Sequence, residues 1–274
     1  AYFNALFEKN IFKYIFKMDG FFGPNVAVAI LYNPNGYNKN NYGGRILINH
    51  NGIADVSKAS IRQIVKVVCD IEKATGDEFV KMEMGVPGLP PAQVGVEAEI
   101  EALKNGCASI YPPIEGMPEL KQQMSLFVKN FLDIKVSPES CVPTVGSMQA
   151  SFAAFLTVGR RDAKKTKIVF IDPGFPVQKQ QLQMMGVPFE TFDVFNYRGE
   201  ALYEKLESYC KKGDVAAFVF SSPNNPSWIS FTDIELKIIA KIANTYDVVI
   251  IEDLAYFAMD FRKPLGVPFE APYQ

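Results

Sequence analysis

Two unbroken apolar runs dominate the hydrophobic pattern of the chain. Residues 215–220 and 248–251 are each of strand length, and each run is followed by a cluster of polar residues. Between them, Thr232 and Glu235 have the spacing of a capping box at the start of a helix. The predicted helix carries one apolar stripe, Leu236, Ile239, Ala240 and Ala243. Two wholly apolar strands joined by a helix predict a parallel βαβ unit whose sheet is covered on both faces.

The same alternation of strand and helix extends upstream. Further strands are predicted at 79–84, 141–145, 167–171 and 188–194. Further helices are predicted at 57–76, 94–104, 118–132, 146–158, 177–185 and 201–212. This order predicts an α/β fold, with a doubly wound, mostly parallel sheet and helices on both of its faces.

Composition and charge narrow the function classes. The 274 residues are 48% hydrophobic and 21% charged, as in an ordinary globular protein, and a net charge of -2 indicates no basic face for nucleic acid. Charged residues within the aromatic stretch 2–22 exclude a membrane-spanning helix there. The single histidine, His50, argues against a histidine-based triad or metal site. Four cysteines far apart, without metal or redox spacing, favour a reduced, cytoplasmic protein.

Polar side chains follow both apolar runs. Asn225 lies in the turn after residues 215–220, and Asp253 and Tyr256 follow residues 248–251. Ligands of doubly wound sheets bind beyond the carboxyl ends of the strands, so these three residues are candidates for binding. Asp253 stands out, because an unpaired carboxylate at the buried end of a central strand is costly. The alternatives are an ordinary turn residue for Asn225 and a capping or loop-fixing aspartate for Asp253.

The Asn-Asn-Pro turn followed by an Asp-x-x-Tyr strand end resembles the pyridoxal-phosphate-dependent aminotransferases of class I/II, which have the aspartate aminotransferase fold (fold type I). The resemblance covers residues 53–274 and implies pyridoxal 5'-phosphate as the cofactor. It implies that Asp253 pairs with the pyridine nitrogen, and that Tyr256 and Asn225 donate hydrogen bonds to the ring oxygen. Asp253 and Tyr256 would be the catalytic residues that this chain supplies.

Two further segments suit the same cofactor. Gly146, Ser147 and Met148 form a turn at a predicted helix start, where backbone N–H groups and the helix dipole favour a phosphate. An ordinary N-cap at Ser147 is the alternative. Phe175 lies in a tight turn after a strand, and the resemblance implies that its ring stacks on the pyridine ring. Packing of Phe175 against a neighbouring helix is the alternative.

Tyr111 and Gly85 extend the resemblance upstream. Tyr111 resembles the tyrosine that reaches the phosphate of the neighbouring subunit, which implies a homodimer with shared active sites. Gly85 resembles the glycine whose backbone lies along the substrate carboxylate. The implied activity moves an amino group between an amino acid and a 2-oxo acid.

The chain departs from the family pattern after Asp253. The family's Schiff-base lysine lies well beyond this aspartate, whereas the chain ends at Gln274, and Lys263 does not fit the pattern. We therefore expect an incomplete chain that is inactive alone. Its expected parts are an extension of unclear role (1–52), an N-terminal arm and small-domain segment (53–115) and a cofactor-binding large domain incomplete at its C-terminal end (116–274).

Other functions stay open at this point. One is a non-catalytic module that keeps the fold for binding or interaction. Asn225, Asp253 and Tyr256 together argue against it, because a module without cofactor has no need of a buried aspartate there. Another fold type I enzyme, such as a β-lyase or a decarboxylase, would carry the same residues.

Overall fold

Residues 60–76, 78–80 and 90–256 are described by the computed structural model. The chain divides into two units, Ala1–Ile100 and Glu101–Gln274. The three-part division expected from the sequence stays a prediction. Among the described helices, none is both long and apolar enough to cross a membrane.

Helix α1 (Ile61–Thr75) ends at Gly76 as predicted, whereas its start signal was not identified from the sequence. Ser60 and Gln63 form a capping box at its N-terminus. Gly76 ends the helix in the left-handed conformation, with φ 74°, and donates its N–H to the carbonyl of Glu72 at 2.9 Å. Glycine adopts this conformation without the clash that a Cβ would cause, so the helix ends there.

The remaining helices and strands alternate along the chain, and each matches a predicted element. The strand predicted at 141–145 is not formed, and the one predicted at 79–84 lies mostly outside the described residues. The helices are α2 (Gln93–Lys104), α3 (Pro118–Leu132), α4 (Gly146–Arg161), α5 (Pro176–Met185), α6 (Ala201–Cys210) and α7 (Asp233–Tyr246). The strands are β1 (Lys167–Asp172), β2 (Phe189–Asp193), β3 (Val215–Ser221) and β4 (Val249–Asp253).

The four strands form one parallel sheet in the order β2-β1-β3-β4. Successive β1 side chains point to opposite faces, as the period of a strand requires. Ile168 and Phe170 pack in a core with α4 and α5, whereas Val169 and Ile171 pack in a second core with α6 and α7. These β1 side chains are at most 2% exposed, and each such burial contributes about 2 kcal/mol. The predicted doubly wound α/β fold is confirmed.

The strand order creates a switch point between β1 and β3. The chain runs outward from β1 to β2 on one side, and from β3 to β4 on the other. The connections therefore diverge at the carboxyl ends of β1 and β3, and folds of this kind bind their ligands at such a point. The sequence suggested that β4 is a central strand, but within residues 90–256 it pairs only with β3 and lies at the sheet edge.

Candidate active site

Asn224 ties together the two loops that flank the switch point. Its side chain is buried, and its amide nitrogen donates to the carbonyl of Pro173, in the loop after β1, and to Ser221 Oγ at 3.1 Å. Its amide oxygen accepts from the backbone N–H and the hydroxyl of Ser227, at 3.2 and 2.7 Å. Asn224 was not among the predicted site residues, although it is the first asparagine of the Asn-Asn-Pro turn.

Asn225 is placed differently from its neighbour. It is exposed, and it makes no side-chain hydrogen bond to any residue that the structure describes. Asn224 therefore organises the loop, while the Asn225 amide remains available to a ligand at the carboxyl end of β3.

Phe175 occupies the corresponding position after β1. It is the N-cap residue of α5, and its side chain is 40% exposed. Asp172 Oδ2 accepts from Lys179 Nζ at 2.5 Å, which closes the turn that carries Phe175. Asp172 Oδ1 is buried without a partner among the described residues. The ring of Phe175 is therefore partly accessible, and its stacking on a pyridine ring stays a prediction.

Asp253 ends β4, opposite Ser221 in the strand register. It is half-buried, and its Oδ2 accepts from Gln178 Nε2 at 3.0 Å. Its Oδ1 accepts from the backbone N–H of Ala255 at 3.2 Å. The expectation of an unpaired carboxylate is wrong, because two protein donors orient Asp253, and the bond from the Ala255 N–H also fits the alternative of a loop-fixing aspartate.

Tyr256 follows in a turn three residues after Asp253 and is half-buried. Its ring lies 5.7 Å from the ring of Trp228, centroid to centroid, with an interplanar angle of 54°. Trp228 belongs to the loop after β3 that also carries Asn225. The structure thus brings the polar clusters after β3 and β4 to the same edge of the sheet.

The first turn of α4 is exposed and lacks a side-chain cap. Gly146 starts the helix with φ 72°, and nothing lies within 4 Å of the position a Cβ would occupy. The N-cap residue is Val145, whose N–H is bound by Gln149 Oε1, so the alternative of an N-cap at Ser147 is wrong. Among the described residues, no side chain accepts a hydrogen bond from the N–H groups of Ser147 or Met148. An uncapped helix start favours an anion.

Helix α5 connects these parts through two buried glutamines three residues apart. Gln178 donates to Asp253, and Gln181 Nε2 donates to the carbonyl of Met148 in the first turn of α4, at 2.9 Å. Ser151 Oγ also donates to Gln181 Oε1 at 2.8 Å. Neither glutamine was predicted from the sequence. Their spacing of three residues, which places both on one face of a predicted helix, could have identified them.

The end of the loop after β3 is held by Glu235, whose side chain is 1% exposed. It accepts from Arg198 Nε and Nη2 at 2.5 and 2.7 Å, and from the backbone N–H groups of Gly199 and Thr232 at 2.9 Å each. Burial raises the pKa of Glu235, but the hydrogen bonds from Arg198 and the backbone outweigh burial, and the pKa falls to about 2. The predicted capping box of Thr232 and Glu235 is confirmed.

The other predicted site residues either lie away from the residues above or fall outside the described part of the chain. Tyr111 is fully exposed. Gly85 and Lys263 lie outside the described residues. No group of three metal-ligating side chains is found in the described segments.

Comparison with known proteins identifies the family of the chain. The family model for aminotransferase class I and II matches residues 77–273. The asparagine–oxo-acid transaminase of Streptococcus mutans is 26% identical over 185 residues, which are 67% of this chain and 46% of that protein. The probable aspartate aminotransferase of Methanocaldococcus jannaschii is 24% identical over 217 residues, 79% of this chain and 54% of that protein.

Solved structures agree on the fold. Aspartate aminotransferase from Thermotoga maritima has a TM-score of 0.65 at 20% identity, over 78% of this chain and 56% of that one. Alanine aminotransferase from Pyrococcus furiosus has a TM-score of 0.61 at 21% identity, over 77% and 52%. The chain spans about half the length of the curated relatives it matches. Since the family model covers well over half of its residues, the chain belongs to the class I and II aminotransferase family.

Proposed function

We propose that the protein containing this chain is a pyridoxal-phosphate-dependent aminotransferase that moves an amino group between an amino acid and a 2-oxo acid. The observation that carries the proposal is the oriented carboxylate of Asp253 within a chain that belongs to the family. The names of the matched relatives make aspartate and asparagine the first amino acids to test.

The residues at the switch point fit this cofactor in their chemistry. The uncapped first turn of α4, at Gly146, Ser147 and Met148, offers N–H groups and a positive dipole end to a phosphate. Phe175 offers an accessible aromatic face to the pyridine ring. Asn225 and Tyr256 are donors for the ring oxygen. When bound, pyridoxal phosphate supplies an electron sink for the α-carbon of the substrate.

Asp253 holds a proton on the pyridine nitrogen in this proposal. A carboxylate beside that nitrogen favours its protonated form, as an opposite charge within a few ångströms does. Gln178 and the Ala255 N–H fix the carboxylate before a ligand arrives, so little reorganisation is needed when charge develops. Asp253 therefore acts on the reaction through charge and position.

The assembly and location are also proposals. We propose a homodimer in which Tyr111 reaches the phosphate site of the partner subunit, supported by its complete exposure on the described chain. Gly85 would lie along the substrate carboxylate. A cytoplasmic location is supported by four free cysteines, Cys69, Cys107, Cys141 and Cys210.

Isotope transfer tests the proposed function directly. The protein is incubated with pyridoxal phosphate, a 2-oxo acid, and aspartate or asparagine labelled with ¹⁵N at the α-amino group. The label is followed by mass spectrometry. We expect label in the newly formed amino acid and none without the cofactor. Cofactor binding without transfer from any amino acid tested would favour a non-catalytic module, and release of a lyase or decarboxylase product would favour those activities.

A further inference from the structure

Trp228 has a backbone conformation that its residue type rarely adopts. Its φ is 57°, in the left-handed region, although it carries the largest of all side chains. Such conformations cost free energy and persist where the surroundings impose them, often at functional sites. The side chain is 66% exposed, so burial of the indole does not account for the conformation.

Backbone hydrogen bonds and one ring contact hold Trp228 in place. Its N–H donates to the carbonyl of Asn224 at 2.9 Å, and the Asn224 N–H donates to the carbonyl of Ile229 at 3.0 Å. With the backbone so fixed, the indole lies against the ring of Tyr256. The left-handed conformation thus occurs together with a ring contact to Tyr256.

We propose that Trp228 is a positioning residue for Tyr256. Its ring holds Tyr256 so that the Tyr256 hydroxyl, like the Asn225 amide, can donate to the ring oxygen of pyridoxal phosphate. This inference rests on the proposed function and adds to it a residue that acts through Tyr256. Trp228 and Asn225 lie in one loop, and Asn224 fixes that loop to the turn before Phe175. The loop that carries Asn225 therefore also carries the ring that contacts Tyr256.

The physical reason is preorganisation. Tyr256 lies in a turn beyond the end of β4, where a side chain without a neighbour would sample several rotamers. A ring packed against it removes those alternatives before the ligand binds, so less conformational entropy is lost on binding. The hydrogen bond from Tyr256 then contributes more to affinity.

The test compares two ligands. Equilibrium dialysis gives the affinity of the protein for pyridoxal 5'-phosphate and for its analogue with hydrogen in place of the ring hydroxyl. The ratio of these affinities reports the donors to the ring oxygen. We expect Trp228→Ala to lower the ratio about fivefold, the effect of losing most of one hydrogen bond. Phe195→Ala is the matched control, since Phe195 is an aromatic residue 73% exposed elsewhere on the chain, and it should leave the ratio unchanged.

A double-mutant cycle shows whether Trp228 acts through Tyr256. Tyr256→Phe should lower the ratio, and adding Trp228→Ala should lower it no further. Trp228→Gly should give the same ratio as Trp228→Ala but unfold at a higher temperature, because glycine relieves the left-handed strain. Trp228→Phe keeps a ring against Tyr256 and should stay within about twofold of the parent ratio.

The outcomes separate this inference from the proposed function. If the parent and Tyr256→Phe differ in the ratio but Trp228→Ala matches the parent, the inference is overturned and the proposed function stands. A Trp228→Phe protein that loses as much as Tyr256→Phe also overturns it, even if Trp228→Ala fails to fold. A parent protein that does not bind pyridoxal phosphate, or binds both ligands equally, overturns the inference together with the donor assignment beneath it.

Discussion

Replacing Glu235 by alanine should destabilise the protein more than any other single change of a charged residue described above. The carboxylate joins the start of α7 to the segment before α6, through Arg198 and the Gly199 N–H, and it completes the cap at Thr232. Arg198 also donates to the carbonyl of Ser230 at 3.1 Å, so the pair fixes the end of the loop that carries Asn225.

The magnitude follows from the pKa of Glu235. The fall from its ordinary value of 4.5 to about 2 corresponds to about 3 kcal/mol in favour of the folded, ionised form. Breaking a buried ion pair by removing one partner costs about 3–5 kcal/mol in general. Because the Arg198 side chain is 34% exposed and water can partly solvate it, we expect about 3 kcal/mol for Glu235→Ala. Glu235→Gln keeps the shape without the charge and should cost about 2 kcal/mol.

The pH dependence has a definite sign. The pKa of Glu235 is lower in the folded state than in the unfolded state, so its contribution is complete above pH 4.5 and is lost as the pH falls toward about 2. The difference in unfolding free energy between the parent and Glu235→Gln should therefore shrink between pH 5 and the acid range. A difference that is constant down to about pH 2 would contradict the assigned ionisation.

Urea unfolding at pH 7 measures these differences, with slopes compared to confirm that the unfolded states are alike. Asp247→Asn is the matched control. Asp247 pairs with Arg161 at 2.8 Å, but its side chain is 76% exposed, and asparagine tolerates its left-handed φ of 49°. We expect less than about 1 kcal/mol for this change. The reasoning fails if Glu235→Ala costs no more than the control.

Three further outcomes are expected. Burial raises the pKa of Cys210 to about 11, so iodoacetamide at pH 8 should label the exposed Cys107 and spare Cys210 until the protein unfolds, as mass spectrometry would show. Gln178→Leu removes the donor to Asp253 Oδ2 and should weaken pyridoxal phosphate binding several-fold, about 1 kcal/mol, in dialysis; unchanged affinity would mean that Gln178 is only structural. Sedimentation should show a homodimer, and Tyr111→Ala should weaken cofactor binding. A fully active monomer would rule out the shared active site.

The sequence predicts the fold well because the signals of each element are local. The apolar runs of β3 and β4 identify buried strands of a parallel sheet, and the capping box at Thr232 locates the start of α7 within a few residues. Alternation of strand and helix then leaves few topologies to choose from. Strand order and the switch point between β1 and β3 emerge only in the structure.

The site is predicted less completely because its supporting contacts join distant segments. Asp253 and Asn225 are identified by their positions after strands, but the hydrogen bond from Gln178 to Asp253 spans 75 residues of sequence. The bond from Asn224 to Pro173 spans 51 residues. Glutamine is common on helices and asparagine is common in turns. No local sequence pattern therefore distinguishes Gln178 and Asn224 from residues that have no part in the site.

The measurement that tests the central claim most directly is the protonation of the pyridine nitrogen in the bound cofactor. The ¹⁵N chemical shift of ring-labelled pyridoxal phosphate, followed against pH, reports that proton. We predict that the nitrogen stays protonated to higher pH in the parent and in the Asp247→Asn control than in Asp253→Asn, because only the last variant loses the charge beside the ring. The same titration in Asp253→Asn and in the parent would contradict the account.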